Sequence, residues 1–211
     1  MSSDVGDSYD RMAALYASLF MDALADDDTA VTWLETFAER AAAQHGRVVD
    51  LGCGPGYVVA HLRSLGVDAV GLDVSPGQVE QAHIAFPDLD ISVGDLTSLE
   101  FPDGSLGGIV SRYSIIHLDP ASLHDVFTEW HRVLEPGAPV LVSFFGSLTE
   151  SAHGTPFDHK VTTAFELFPA TIAALLIDTG FVEVDATAVP ASRGSERPFD
   201  QATVFGRARS R

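Results

Sequence analysis

Short apolar runs alternate with helix-spaced segments along this sequence, and that alternation restricts the possible folds more than any other feature. The runs fall at 48–51, 67–72, 89–93, 106–110, 140–145, 181–189 and 202–205, and several are rich in Val, Ile and Leu without polar alternation. A strand with one wet face alternates in polarity; a strand covered on both faces does not, and helices crossing over between parallel strands cover both. The intervening segments carry the helical period. Leu123, Val126, Phe127, Trp130, Val133 and Leu134 recur at three- and four-residue steps across 120–134, which makes one apolar stripe, and Glu135-Pro136-Gly137 ends it. Ser75-Pro76 opens another helix with a side-chain cap and a proline in the first turn. One more covers 57–65, and a last one runs from near Thr171, after Pro169, to Asp178-Thr179-Gly180. Strand and helix alternating at this spacing predict an α/β fold with a doubly wound, mostly parallel sheet and right-handed crossovers.

Two regions stand outside the alternation. Residues 1–45 are expected to form an N-terminal helical cap, with helices over 9–24 and 29–44 separated by Ala25-Asp26-Asp27-Asp28. Residues 146–169 read as an irregular, substrate-side insertion carrying His153, Phe157, His159, Lys160 and Phe165. Loops of that length in compact domains are commonly lids or binding segments, so both regions are candidates for closing over a site. No repeat, low-complexity tract or linker divides the chain, which reads as a single domain over 1–211.

The segment VVDLGCGPG at 48–56 runs a strand into three alternate glycines, and a helix follows. Glycine admits positive φ and lets a ligand approach bare backbone, and the carboxyl end of a first strand is where doubly wound sheets bind nucleotides. A tight turn needing small residues explains the triplet equally well on its own. The next strand ends in Asp73, seventeen residues beyond Gly56, where a carboxylate can accept both hydrogens of a ribose diol. The third ends in Gly94-Asp95-Leu96, which offers a carboxylate to an adenine amino group and a backbone N–H to a ring nitrogen.

These segments resemble the class I S-adenosylmethionine-dependent methyltransferases. The likeness rests on VVDLGCGPG, on VGLDVSP around Asp73, on GDL at 94–96, on GIVSRYSIIHL at 108–118 and on HRVLEPGAPVLVSFF at 131–145. The resemblance implies a Rossmann-like sheet of seven strands whose last strand is antiparallel, with the segments near 180–189 and 202–209 as the terminal hairpin. It implies S-adenosylmethionine as cofactor and S-adenosylhomocysteine as product. The backbone of Gly52, Cys53, Gly54 and Gly56 would cradle the methionine part, and Asp50 would support the turn and the cofactor's amino group. Asp73 and the adjacent Val74 would hold the adenosyl moiety at its ribose, Asp95 and Leu96 the adenine. Ser111 and Arg112 would line the methionine side, and Tyr9 and Tyr16 would cover the cofactor, though packing of an amphipathic helix accounts for the two tyrosines as readily.

A sulfonium already makes its methyl group electrophilic, so the protein's task is to position a nucleophile and exclude water. A hydroxyl acceptor also benefits from a base. His117, after the fourth strand, is the candidate catalytic residue; His153, Phe157 and His159 are candidate substrate contacts. An O or N nucleophile on a small molecule is the expected acceptor. Two alternatives stand beside this. A nicotinamide-dependent oxidoreductase uses a similar turn, but its G-x-G-x-x-G fingerprint meets Tyr57 at the third glycine. A binding protein that has lost catalysis would keep all the cofactor residues.

Composition narrows the partners. Twelve Lys and Arg against thirty Asp and Glu give a net charge of −18, which suits neither nucleic acid nor an anionic membrane surface. Cys53 is the only cysteine, so neither an intramolecular disulfide nor a cysteine metal cluster can form. The histidines show no metal-ligand spacing. With no secretory signal and no apolar run approaching ~20 residues, the expected location is the cytoplasm. Oligomeric state has no signature in the sequence.

Overall fold

The computed structural model describes residues 3–25, 27–146, 149–150, 153–159, 161–190 and 200–210. In chain order the helices are α1 (Ser3–Asp10), α2 (Ala13–Phe20), α3 (Asp28–Ala41), α4 (Tyr57–Ser64), α5 (Pro76–Ala85), α6 (Leu123–Val133) and α7 (Pro169–Asp178). The strands are β1 (Arg47–Leu51), β2 (Ala69–Asp73), β3 (Ile91–Val93), β4 (Leu106–Arg112), β5 (Pro139–Gly146), β6 (Pro156–Asp158), β7 (Thr163–Phe165), β8 (Phe181–Val189) and β9 (Asp200–Ala208). Seven of them form one sheet in the order β3-β2-β1-β4-β5-β9-β8. Strands β3 to β5 pair in parallel, and β9, the last strand, is antiparallel to both β5 and β8.

The uninterrupted apolar runs are explained by two cores, one on each face of the sheet. Val49, Ile109, Val140, Val142 and Val204 pack with α6 and α7, whereas Val48, Val110, Leu141 and Phe205 pack with α3, α4 and α5. Successive residues of a strand point to opposite faces, so the central strands β1, β2, β4 and β5, covered on both, are buried at almost every step. Trp130 of α6 lies fully buried in the first core, and its indole N–H donates to the Leu96 carbonyl at 2.9 Å. Proline in the first turn starts α7 at Pro169, two residues earlier than the spacing predicts.

Two regions differ from expectation. The N-terminal cap holds three helices, because the segment expected as one helix over 9–24 breaks between α1 and α2. Asp10 ends α1 with its carboxylate turned to α5, where Oδ1 accepts the Gly77 N–H at 2.8 Å and the Ser75 hydroxyl. The insertion is not wholly irregular: β6 and β7 form a separate antiparallel pair. Three-residue strands are too short to show alternation, and this pair is held by docking, with Ala164 and Leu167 fully buried in the main core. Lys160 lies outside the described residues.

The chain steps outward from β1 through β2 to β3, then returns to add β4 on the other side of β1. This reversal opens a crevice between the carboxyl ends of β1 and β4, where open α/β sheets take ligands.

Candidate functional site

A crevice of about 400 Å³, part of it open to solvent, lies at that reversal. Its floor is the turn after β1. Gly52, Gly54 and Gly56 all have positive φ, at 75°, 52° and 85°, but they face different surroundings. A Cβ on Gly52 would lie 2.4 Å from Ser114 Cβ, whereas one on Gly54 would project past Tyr16 and Gln78 with nothing nearer than 3.9 Å. Only Gly52 and Gly54 of the three line the crevice.

Asp73 closes one wall from the end of β2. Its Oδ2 accepts the Gly54 N–H at 2.8 Å and its Oδ1 the Ser75 N–H at 2.9 Å. Burial pushes its pKa up to about 6, against the pull of those N–H groups. Asp50, inside β1, is 2% exposed, and its Oδ2 has no hydrogen-bond partner among the described residues. Burial raises its pKa to about 7; Arg112 opposes the shift and Asp73 adds to it. Arg112, at the end of β4, has a side chain only 7% exposed and lies 3.6 Å from Asp27. After it, Tyr113 adopts φ 56°, and its N–H donates to the Ser143 carbonyl at 2.7 Å. Ser114 donates its hydroxyl hydrogen to the Leu51 carbonyl at 2.9 Å, which ties this turn to β1.

The cap covers the opening. Tyr9 and Tyr16 meet edge to face with ring centres 5.4 Å apart. The Tyr9 hydroxyl lies 2.8 Å from His117 Nε2, and His117 Nδ1 lies 2.9 Å from the Thr163 carbonyl oxygen of β7. A carbonyl only accepts, so Nδ1 carries the ring hydrogen and Nε2 accepts from the phenol. Burial lowers the His117 pKa to about 4, and the bond to Thr163 counters part of the shift. Burial also raises the Tyr9 pKa, with Asp73 adding to it. Both groups are therefore neutral at physiological pH.

A family model described as a methyltransferase domain matches residues 48–137, which span β1 to the turn before β5. A demethylmenaquinone methyltransferase from Beutenbergia cavernae is 32% identical over 151 residues, covering 68% of this chain and 59% of that protein. A probable S-adenosylmethionine-dependent methyltransferase from Mycolicibacterium smegmatis is 34% identical over 155 residues, 72% of this chain and 57% of that protein. The chain belongs to the class I S-adenosylmethionine-dependent methyltransferases. It therefore spans less than two thirds of the length of these two relatives. The crystal structure of the [4+2]-cyclase SpnF shares the fold of this chain, with a TM-score of 0.74 and 18% identity, over 100% of this chain and 98% of that one. Membership replaces the oxidoreductase alternative.

The crevice brings together Tyr9, Tyr16, Gly52, Gly54, Asp73, Val74, Arg112 and His117 from the residues singled out by sequence. Others lie elsewhere. Cys53 packs its thiol into the second core, where a Cβ on Gly71 would come within 2.7 Å of its sulfur. Gly56 faces Ile91 and Ala82. The Ser111 hydroxyl is fully buried against Ser114. Asp95 binds the Thr97 N–H and hydroxyl, at 2.8 and 2.7 Å, and Leu96 is buried in the first core. His153 accepts the Phe168 N–H at 3.1 Å near the start of α7. His159 and Phe157 sit beyond His117, with the His159 ring centre 5.3 Å from that of His117 and 6.3 Å from that of Phe157. Reading the sequence misses three lining residues: Gln78, Tyr113 and Ser114.

The side chains present fit the family's cofactor in part. Gly54 leaves room above the turn, whereas Asp50 is not among the residues lining the crevice and lies buried behind it, with its Oδ2 without a hydrogen-bond partner among the described residues. Among the described residues no group of three His, Cys, Asp or Glu side chains is placed to hold a metal ion.

Proposed function

We propose that this chain transfers a methyl group to an acidic hydroxyl, of the phenol or enol class, on a small aromatic molecule. When bound, S-adenosylmethionine supplies a methyl group made electrophilic by its sulfonium and departs as the neutral thioether. The backbone at Gly52 and Gly54, with Asp50 and Asp73, would hold that group; Tyr9 and Tyr16 would exclude water from it.

The observation that carries the reading is the phenol already seated on His117. Tyr9 donates its hydroxyl hydrogen to Nε2 at 2.8 Å while the Thr163 carbonyl, 2.9 Å from Nδ1, fixes the Nδ1–H tautomer that leaves Nε2 its lone pair, so the ring is built to receive a hydroxyl proton from within the crevice. An acceptor hydroxyl that displaces Tyr9 would meet the same lone pair. As its oxygen bonds the methyl carbon, its proton passes to Nε2. With a pKa near 4 the imidazole is a weak base, and a weak base serves an acidic hydroxyl better than an alkanol. Aromatic rings stand on this side of the crevice: Tyr113, which lines it, has its ring centre 4.9 Å from that of Phe145, which lies 5.4 Å from His159.

The test is production of S-adenosylhomocysteine from S-adenosylmethionine with a panel of phenols, enols, alkanols and amines. Phenols or enols should turn over, and His117→Ala should lower that turnover by about a hundredfold or more with cofactor affinity unchanged. Turnover of amines alone, or equal turnover by His117→Ala, would overturn the assignment. Binding of S-adenosylhomocysteine without turnover of any acceptor would favour the non-catalytic alternative.

A further inference from the structure

Gln78 is only 1% exposed and lines the crevice, yet neither its Oε1 nor its Nε2 has a hydrogen-bond partner among the described residues. Its place in the chain makes this unexpected. Ser75 caps α5 and Gln78 follows three residues later, the spacing of a capping box, in which the glutamine reaches back to the N–H of the cap residue. Half of that box is made, because Ser75 Oγ accepts the Gln78 N–H at 3.1 Å. The other half is pre-empted: the Ser75 N–H donates to Asp73 Oδ1 at 2.9 Å. The carboxamide is thereby released from the helix terminus and held in the crevice, with Oε1 4.0 Å from the point where a Gly54 Cβ would stand. Burying an amide without partners is unfavourable, and such a group is expected where a ligand completes it.

We propose that Gln78 binds the sugar of the adenosyl group, its Nε2 donating to a ribose hydroxyl oxygen. This rests on the crevice being the cofactor site. Asp73 alone leaves the sugar half satisfied. A carboxylate only accepts, and each Asp73 oxygen already takes one backbone N–H, so Asp73 can receive hydroxyl hydrogens but offers the hydroxyl oxygens nothing. Gln78 is the uncharged side chain on the same wall that carries both a donor and an acceptor, the pair a hydroxyl requires.

The experiment compares wild type with Gln78→Met, which keeps the volume and removes the amide. Calorimetry would use two probes, S-adenosylhomocysteine and the same thioether lacking both sugar hydroxyls, and thermal unfolding would be followed without ligand. The variant should bind S-adenosylhomocysteine about tenfold more weakly and bind the deoxygenated probe as wild type does, because the two losses share one interaction. Its ligand-free melting temperature should be unchanged or higher, since an unpaired buried amide has been replaced by an apolar group; a residue with a merely structural role would lower it. A loss below threefold, or an equal loss on both probes, overturns the proposal. Should Gln78→Met fail to fold, Gln78→Leu also removes the amide without adding charge and is read in the same way. Asp73→Ala in parallel separates the two levels: if it weakens binding and Gln78→Met does not, only the role of Gln78 falls, and if neither matters, the cofactor is not in this crevice.

Discussion

A single methyl group distinguishes the jobs of the glycines after β1. At Gly52 an alanine would carry two penalties, the left-handed backbone at φ 75° and a Cβ 2.4 Å from Ser114 Cβ. Ser114 cannot retreat freely, because its hydroxyl is bound to the Leu51 carbonyl and to Ser111. Left-handed backbone costs roughly 1–2 kcal/mol and overpacking about 1–3 kcal/mol more, so Gly52→Ala should lose about 2–5 kcal/mol in urea unfolding. At Gly54 the same change meets open space. Gly54→Ala should cost only the backbone share, about 1–2 kcal/mol, yet it should weaken S-adenosylhomocysteine clearly in calorimetry, since its Cβ would enter the crevice. Equal stability losses in the two variants would contradict this division. The glycine triplet is legible in the sequence as a turn that bares its backbone, but the sequence cannot say which glycine serves the ligand. The answer depends on Ser114 and Gln78, which are distant in the chain. For the same reason the sequence does not show that Cys53, in the middle of the triplet, sends its side chain into the second core and has only its backbone to offer at the turn.

The cap is fixed to the sheet layers through Asp10, which stands at the end of one helix and at the start of another. Its carboxylate takes the Gly77 N–H at 2.8 Å and the Ser75 hydroxyl at the N-terminus of α5, where negative charge is favoured by the helix dipole. Asp10→Ala removes both bonds and should cost about 1–2 kcal/mol. The loss should be local. Amide hydrogen exchange over α1 and α2 should quicken while exchange in β1, β4 and β5 stays slow, and S-adenosylhomocysteine should exchange faster because Tyr9 and Tyr16 ride on these helices. Unchanged exchange in α1 would mean that other contacts, such as the close approach of Gly6 to the Val74 carbonyl, hold the cap by themselves. The central strands of the sheet are legible because they are buried on both faces and feed two cores. The break between α1 and α2 is not, since the side chain that ends α1, Asp10, is engaged in tertiary bonds to α5. Nor is the β6–β7 pair, whose strands are too short to carry a period and which depends on Ala164 and Leu167 reaching the main core.

At the scale of the whole molecule, the crevice and the acidic surface push stability in the same direction with pH. Asp50 has its pKa raised by burial to about 7, whereas in the unfolded chain it is an ordinary carboxylate. From about pH 4 to about pH 7 the folded state therefore holds more protons at this site, and stability falls as pH rises through that window. Asp73, raised by burial to about 6, acts the same way over a narrower window. His117 opposes them. Burial lowers its pKa to about 4, so between about pH 6.5 and pH 4 the unfolded chain takes up a proton that the folded state refuses, and stability falls as pH falls. His153, whose pKa burial also lowers, acts with His117, so below about pH 6 the two carboxylates and the two imidazoles oppose each other, and above about pH 6.5 Asp50 acts alone. The net charge of −18 adds repulsion that grows as carboxyl groups ionise. Without ligand, the protein should melt at a higher temperature at pH 5.5 than at pH 8, and Asp50→Asn should flatten the difference. A profile that rises toward pH 8 would show that Asp50 is not a buried charge in the ligand-free protein. An ammonium group placed beside Asp50 restores its charged form, so S-adenosylhomocysteine should bind with release of a proton and more tightly at pH 7.5 than at pH 5.5. Calorimetry in buffers of different ionisation heat measures that proton directly, and its absence would move the cofactor's amino group away from Asp50.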